Sequence, residues 1–409
     1  VEERPPLLLN IPLSIQHLFA MFGATVLVPF LFNVNPTTCL FMNGIGTLLY
    51  LFLTKGKIPS YLGSSFAFIS PVMVILSTSS YSDAQSGFIV FGLIFILFSL
   101  IIKYTGTGWI DIIFPPACMG AIIAVIGLEL APTAAGMAGL TGDVIDLRNI
   151  AVSMFTLAVT IIGSVAFKGF MAIIPILFGV ICGYIFSFFM GLVDLAPVAA
   201  APWFQMPHFY QPTFNLNAIL IIAPAALVVL AEHIGHLVVT GNVVERNLIK
   251  DPGLARSLFA DGCSNVLSGF FGATPNTTYG ENIGVMAITK VYSVWVIGGA
   301  AVMAICLSFI GKLSELIRSI PVPVMGGVCI LLFGVIAASG IRVLVESKVD
   351  YSKSANLVMS SVIMIVGLSG AKLTFGTISV QGMVLATLVA ILTSLTFKLL
   401  DSLGLMRND

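Results

Sequence analysis

Two carboxylates stand in this sequence where long apolar runs should hold none. "LIIAPAALVVLAEHIGHLVV" places Glu232 well inside such a run. An isolated ionised carboxylate there costs several kcal/mol, so it must be protonated, paired or facing a wet cavity. His236 follows at i+4 on the same helix face, whereas His233 is turned about 100° away. The second carboxylate, Glu281, lies in "NTTYGENIGVMAITK", where Tyr279, Gly280 and Asn282 surround it. Gly280 permits backbone geometries closed to other residues, and free N–H groups at a helix start face whatever fills the gap. A third stretch, "GSSFAF", supplies Ser64 and Ser65 as hydrogen-bonding groups and Phe66 as a flat apolar surface. These are the parts of a pocket for a small planar, polar molecule. Carboxyl groups and a backbone N–H read its edge, and an aromatic ring stacks on its face.

The same residues admit plainer readings. A Glu–His pair can simply bridge two helices, and His233 and Phe66 can be packing residues. A zinc hydrolase would need HExxH or HxxEH, and "EHIGH" is neither. No third ligand stands out, so the expectation is no metal, no catalytic residue and no enzyme. Asp261, in "ARSLFADGCSNVLSGFFG", lines a helix interface or the core, its role open; Glu129, near the outer end of its span, is expected at a solvated or a rim position. The six cysteines are dispersed without a CxxC, which suits small buried thiols rather than a disulfide frame or zinc site.

The elements that position these groups follow from composition. The chain has 409 residues, 58% hydrophobic and 9% charged, with a mean hydropathy of +1.08. Soluble domains are about one quarter charged, so this is an all-α polytopic membrane protein forming a single transmembrane unit. Its formal net charge of +0 gives no footing for a nucleic-acid partner. The first apolar run is too long for a cleaved signal peptide, and the lack of an initial Met suggests a trimmed chain.

Fourteen spans are predicted, at 11–33, 37–54, 58–78, 86–104, 112–131, 149–167, 171–193, 216–241, 255–272, 274–289, 291–311, 321–341, 354–371 and 379–399. Counted from an inside N-terminus, fourteen of the 18 basic residues, Arg407 among them, fall in inside loops. Both termini are therefore expected to be cytoplasmic. The third and tenth spans are poor helices, broken by Pro, Gly, Ser, Thr or Asn near their starts. They are the third members of two seven-helix halves. Pro59 and Pro275 lie 216 residues apart, and "FPPACMG" and "IPVPVMG" open the fifth and twelfth spans. An odd number of helices per half inverts the second half, and broken helices at matching places in inverted repeats point to a transporter's midplane site.

"ENIGVMAITK", Glu281 to Lys290, fits the signature [Q/E/P]-N-x-G-x-x-x-x-T-[R/K/G] of the nucleobase–ascorbate transporter (nucleobase–cation symporter-2) family. "SIQHLFAMFGATVLVP", "GSSFAFISP", "AEHIGHLVVT" and "ATPNTTYGENIG" extend the resemblance over nearly the whole chain. The resemblance implies a 7+7 inverted repeat with short strands in the third and tenth spans. A core domain would cover about 11–104 and 216–311, a gate domain about 112–193 and 321–399. It implies proton-coupled symport of a nucleobase across the bacterial inner membrane, with no cofactor beyond the proton and a homodimer through the gate domain. Carried over by motif, Glu232 and Glu281 would hydrogen-bond the base, the Gly280 N–H would contact it and Phe66 would stack on it. His236 would couple to the proton with the two carboxylates, and Tyr279, Asn282, Ser65 and Phe333 would shape the site. Purine carriers of the family typically begin the signature with Gln, so Glu281 favours uracil over xanthine or urate. Phe333 stands where the family's uracil symporter has a tyrosine. An anion exchanger or channel of the same fold is the more distant alternative, and it would want a cation at the broken helices.

Overall fold

A computed structural model of the chain describes residues 1–142, 145–375 and 378–406; of the basic residues counted above, Arg407 lies outside them. The elements are α1 (Leu7–Leu31, interrupted at Met21), α2 (Pro36–Leu53), β1 (Leu62–Ser64), α3 (Phe66–Leu76), α4 (Tyr81–Thr105) and α5 (Pro116–Met137). Then come α6 (Leu147–Ala166), α7 (Pro175–Phe189), α8 (Leu216–Val243), α9 (Leu254–Phe271), β2 (Asn276–Thr278) and α10 (Gly280–Thr289). The chain continues through α11 (Val294–Ser308), α12 (Val322–Glu346), α13 (Ser354–Leu368), β3 (Lys372–Phe375), β4 (Ile378–Gln381) and α14 (Gly382–Ser402). Among the described residues, α1, α2, α4, α5, α6, α8, α12 and α14 are long and apolar enough to cross a membrane. The chain is a mostly helical, multi-pass membrane protein.

Two sets of helices pack together. In one, α9 lies against α4 and α2, and α11 against α2 and α1. In the other, α12 lies against α5 and α6, α7 against α6, and α13 and α14 against α5. Helix α8 reaches across, touching α10 on one side and α5 and α14 on the other.

The stretches around 58–78 and 274–289 each begin as a three-residue strand and continue as a short helix. β1 and β2 pair antiparallel, with Leu62 opposite Thr278 and Ser64 opposite Asn276. Ser65 N donates to Pro275 O at 2.9 Å and Tyr279 N to Tyr61 O at 3.0 Å, extending the ladder at both ends. Extended backbone inside hydrocarbon must satisfy its polar groups within the protein. Much of that satisfaction comes from α9, whose buried Asp261, Ser264, Asn265 and Ser268 recur at helical spacing on one face. Asn265 accepts from Asn276 N at 2.7 Å and donates to Asn276 O at 2.9 Å. The Asn276 side chain accepts from Ser264 and donates to Ser268, both at 3.1 Å.

The start of the last predicted span differs from expectation. Residues 379–381 belong to the hairpin β3–β4, in which Lys372 pairs with Gln381 and Leu373 with Val380. The helix begins only at Gly382, whose φ of +56° suits glycine. "KLTF" and "ISVQ" carry β-branched and aromatic residues in short runs, a strand signal hidden beside a longer apolar one.

Candidate functional site

A cavity of about 300 Å³ opens beside the paired strands. Its walls include Ser64 at the end of β1 and Ser65 and Phe66 after it, Glu232 and His236 of α8, and Thr277 through Glu281 at the end of β2 and start of α10. Ile123 and Ile126 of α5 face it from the second helix set, and its lining runs out along α12 to Arg342 and Glu346. The polar parts singled out in the sequence thus come from three separate stretches to one space.

Each is held differently. His236 Nδ1 lies 3.2 Å from Thr278 Oγ1, which fixes the ring against β2. Glu281 is the second residue of α10, where unpaired N–H groups and the helix dipole favour negative charge. Glu232 lines the cavity, and its Oε2 has no hydrogen-bond partner among the described residues. Unpartnered buried polar atoms are uncommon in folded proteins, and one on a residue that lines a cavity suits a donor brought in by a ligand. Tyr279 lines the space while its hydroxyl donates to Ser64 O at 3.1 Å, tying the two broken segments together.

Two expected site-shaping residues stand behind the wall. Asn282 turns away from the cavity, and its amide nitrogen lies 3.1 Å from both the carbonyl oxygen and Nδ1 of His17 on α1. One residue further along a helix is a rotation of about 100°, which carries Asn282 off the face that Glu281 occupies. Phe333 packs edge-on against Phe66, with ring centroids 6.0 Å apart and planes at 83°. It supports the aromatic face rather than lining the cavity.

Several participants carried no distinctive sequence signal. Arg342 reaches the exposed end of the cavity, where its Nε donates to Glu346 Oε1 at 2.8 Å. His233 is fully buried, its Nδ1 3.0 Å from Asp261 Oδ2 and its Nε2 2.7 Å from Ser257 Oγ, which in turn lies 2.7 Å from Tyr50 OH. That chain links α2, α8 and α9, the helices that carry Glu232 and support β2. Glu129 corrects the expectation of a solvated or a rim position. It is partly buried, accepting from Ser70 Oγ at 2.8 Å and from Met383 N at 2.9 Å.

A larger cavity of about 570 Å³ lies between α1, α2, α7 and the short helix Gly311–Arg318. Its walls are aliphatic and aromatic, with Thr25 and Tyr184 as hydroxyls, and it includes neither Glu232 nor Glu281. Among the described residues no group of three His, Cys, Asp or Glu side chains is placed to hold a metal.

Solved structures share the fold. The transmembrane domain of the cyanobacterial bicarbonate transporter BicA superposes with a TM-score of 0.65 at 13% identity, covering 96% of this chain and 98% of that one. Murine Slc26a9, an anion transporter, gives 0.69 at 11% identity, covering 98% of this chain and 70% of that one. Sequence relatives are much nearer. The uracil permease of Escherichia coli (strain K12) is 64% identical over 406 residues, covering 98% of this chain and 94% of that protein. Those of Paenibacillus larvae and Bacillus subtilis are 61% and 47% identical, covering 98% and 93% of this chain and 97% and 91% of theirs. A family profile described as "Permease family" matches residues 9–376. The chain belongs to this permease family, a family of transporters and not of enzymes.

Proposed function

We propose that the protein imports uracil with a proton across the bacterial inner membrane, working by alternating access. The observation that carries the reading is the convergence of Glu232, Glu281, the Gly280 backbone and Phe66 on one cavity of about 300 Å³. Uracil is a planar ring with N–H donors and carbonyl acceptors along its edge. A carboxylate with an unpartnered oxygen takes an N–H, a backbone N–H takes a carbonyl, and an aromatic ring takes the face. Relatives named uracil permease, 47–64% identical over almost the whole chain, support the same substrate.

Transport requires the site to face each side in turn. The helices would form fourteen spans in two inverted halves, with both termini cytoplasmic, as the distribution of Lys and Arg favours. The set built on α1–α4 and α8–α11 would be the core and that on α5–α7 and α12–α14 the gate, as their packing suggests, with the gate offering a dimer surface. Glu281 and Glu232 are the groups to hold the coupled proton, with His236 sharing it through its place one turn from Glu232. Moving one charge through 100 mV supplies about 2.3 kcal/mol, enough for roughly 50-fold accumulation. Among the described residues lining the cavity, an anion-exchange reading meets one cation, Arg342, and that is already paired with Glu346.

Purified protein in liposomes tests the reading directly. An imposed inward proton gradient must drive uptake of labelled uracil, and excess xanthine must leave that uptake unchanged. Accumulation indifferent to the gradient would refute symport, and efficient competition by xanthine would reassign the substrate.

A further inference from the structure

Phe66 on α3 and Ile126 on α5 both line the site cavity. One turn further along the same two helices stand Ser70 and Glu129, and the Ser70 hydroxyl donates to Glu129 Oε1 at 2.8 Å. The opposite end of the cavity runs out to Arg342 and Glu346, both largely exposed. The Ser70–Glu129 bond therefore spans the two helix sets at the end of the cavity away from Arg342 and Glu346.

Glu129 is built into this position from the other direction as well. Its Oε2 accepts from Met383 N at 2.9 Å, in the first turn of the 21-residue helix α14. Residue 382 just before it has φ +56°, and a Cβ there would collide with the Glu129 carboxyl group. Glycine at 382 thus both permits the turn from β4 into α14 and leaves room for the carboxylate. One oxygen ties Glu129 to its own helix set, and the other reaches the helix that begins with Phe66. A carboxylate oriented by one backbone N–H can make and break its second bond without losing its place.

We propose that Ser70 and Glu129 form a latch that closes the site on the side away from Arg342, and that it opens whenever substrate passes that side. The proposal rests on the alternating-access reading above and assigns Glu129 and Ser70 as positioning residues in it. Pro71 and Val74 of α3 and Val384 of α14 meet just beyond the latch around a small gap, and Val384 is buried there. Parting of the two helix sets would uncover Val384.

The test reads that exposure. In solubilised full-length protein with Cys182 and Cys263 replaced by Ser, Val384→Cys is labelled with a hydrophilic maleimide, and the rate reports the fraction with the latch open. Ser70→Ala should raise the rate about tenfold or more, the weight of one hydrogen bond to a carboxylate. Labelling of Cys39, buried on α2, should not change, and Cys306, already exposed on α11, is replaced by Ser as well. Glu129→Gln keeps the side chain's size and an acceptor oxygen, and should raise the Val384→Cys rate in the same direction by less. An unchanged Val384→Cys rate in both variants overturns the latch, as does an equal rise at buried Cys39, which would mean general loosening. Uracil must alter the Val384→Cys rate when Ser70 and Glu129 are intact. If it does not, the alternating-access reading has failed and the latch fails with it; if it does while Ser70→Ala is silent, the latch alone is wrong.

Discussion

Replacing Glu232 with Gln should weaken uracil binding while leaving the substrate-free protein as stable as before, or more so. The two effects have one cause. Glu232 lines the cavity and its buried Oε2 has no hydrogen-bond partner among the described residues, so in the free protein that oxygen carries desolvation without a bond to offset it. A neutral amide of the same size costs less to keep there. With uracil bound, a hydrogen bond to a charged acceptor contributes about 1.5–3 kcal/mol, and the amide recovers only part of it. The dissociation constant should therefore rise about 10- to 100-fold. Thermal unfolding of the detergent-solubilised protein reads both quantities. At uracil one hundred times the original dissociation constant, ligand stabilisation of about 2.7 kcal/mol should fall to about 0.9 kcal/mol for a 30-fold loss of affinity. The ligand-free transition should stay level or move up. A variant that binds uracil within twofold of the original, or that is destabilised without ligand, would show that Glu232 bridges helices and does not read the substrate.

Other perturbations separate the scaffold from the site. Asp261→Ala leaves a buried His233 nitrogen without its partner and should cost about 1–3 kcal/mol of stability, read by thermal unfolding with and without uracil. Gly382→Ala puts a Cβ against Glu129 at a positive φ and should lower stability by about 1–3 kcal/mol while freeing the Ser70 contact, so that Val384→Cys is labelled faster. Arg246→Ala, by contrast, should shift stability by less than about 1 kcal/mol near neutral pH, because its pair with Glu2 is exposed. Hydrogen bonds from Arg246 hold the Glu2 carboxyl down to about 2. Whatever that pair contributes is complete above the ordinary carboxylate range and disappears as pH falls through about 2, so unfolding of the native chain and of Arg246→Ala should converge in strong acid.

Charge in the wrong place made the heart of the site readable. Glu232 and Glu281 stand out because a carboxylate in a long apolar run has few inexpensive explanations, and His236 follows from helical spacing alone. The broken third and tenth segments were visible for a related reason, since Pro, Gly and Asn make poor helix interiors. What the residues could not reveal was how those interruptions are satisfied. The polar face of α9, Asp261, Ser264, Asn265 and Ser268, has a clear helical period, yet the strand it serves is an independent three-residue element that no periodicity announces. Direction within a turn was equally hidden. Asn282 adjoins Glu281 in the motif but serves His17, because neighbouring residues on a helix point to different partners. Glu129 misled for the opposite reason. A carboxylate near the end of a span ordinarily meets water, and its partners are 59 and 254 residues away in sequence.

The contrast between these two kinds of polar group bears on how the molecule can move and remain specific. Asn265, Asn276, Ser264 and Ser268 answer one another within α9 and β2, so the strand pair is held with or without a ligand. Glu232, on the cavity wall, keeps an unanswered oxygen, and Ser70 and Glu129 answer each other across the two helix sets. A ligand shifts a conformational equilibrium only by the difference in how it meets the two states. Groups satisfied inside one rigid unit contribute nothing to that difference. Those facing the cavity or bridging the units contribute all of it. On the alternating-access reading, substrate recognition and the conformational change would therefore fall to a few side chains at the junction, while the larger polar network would keep the two broken helices aligned.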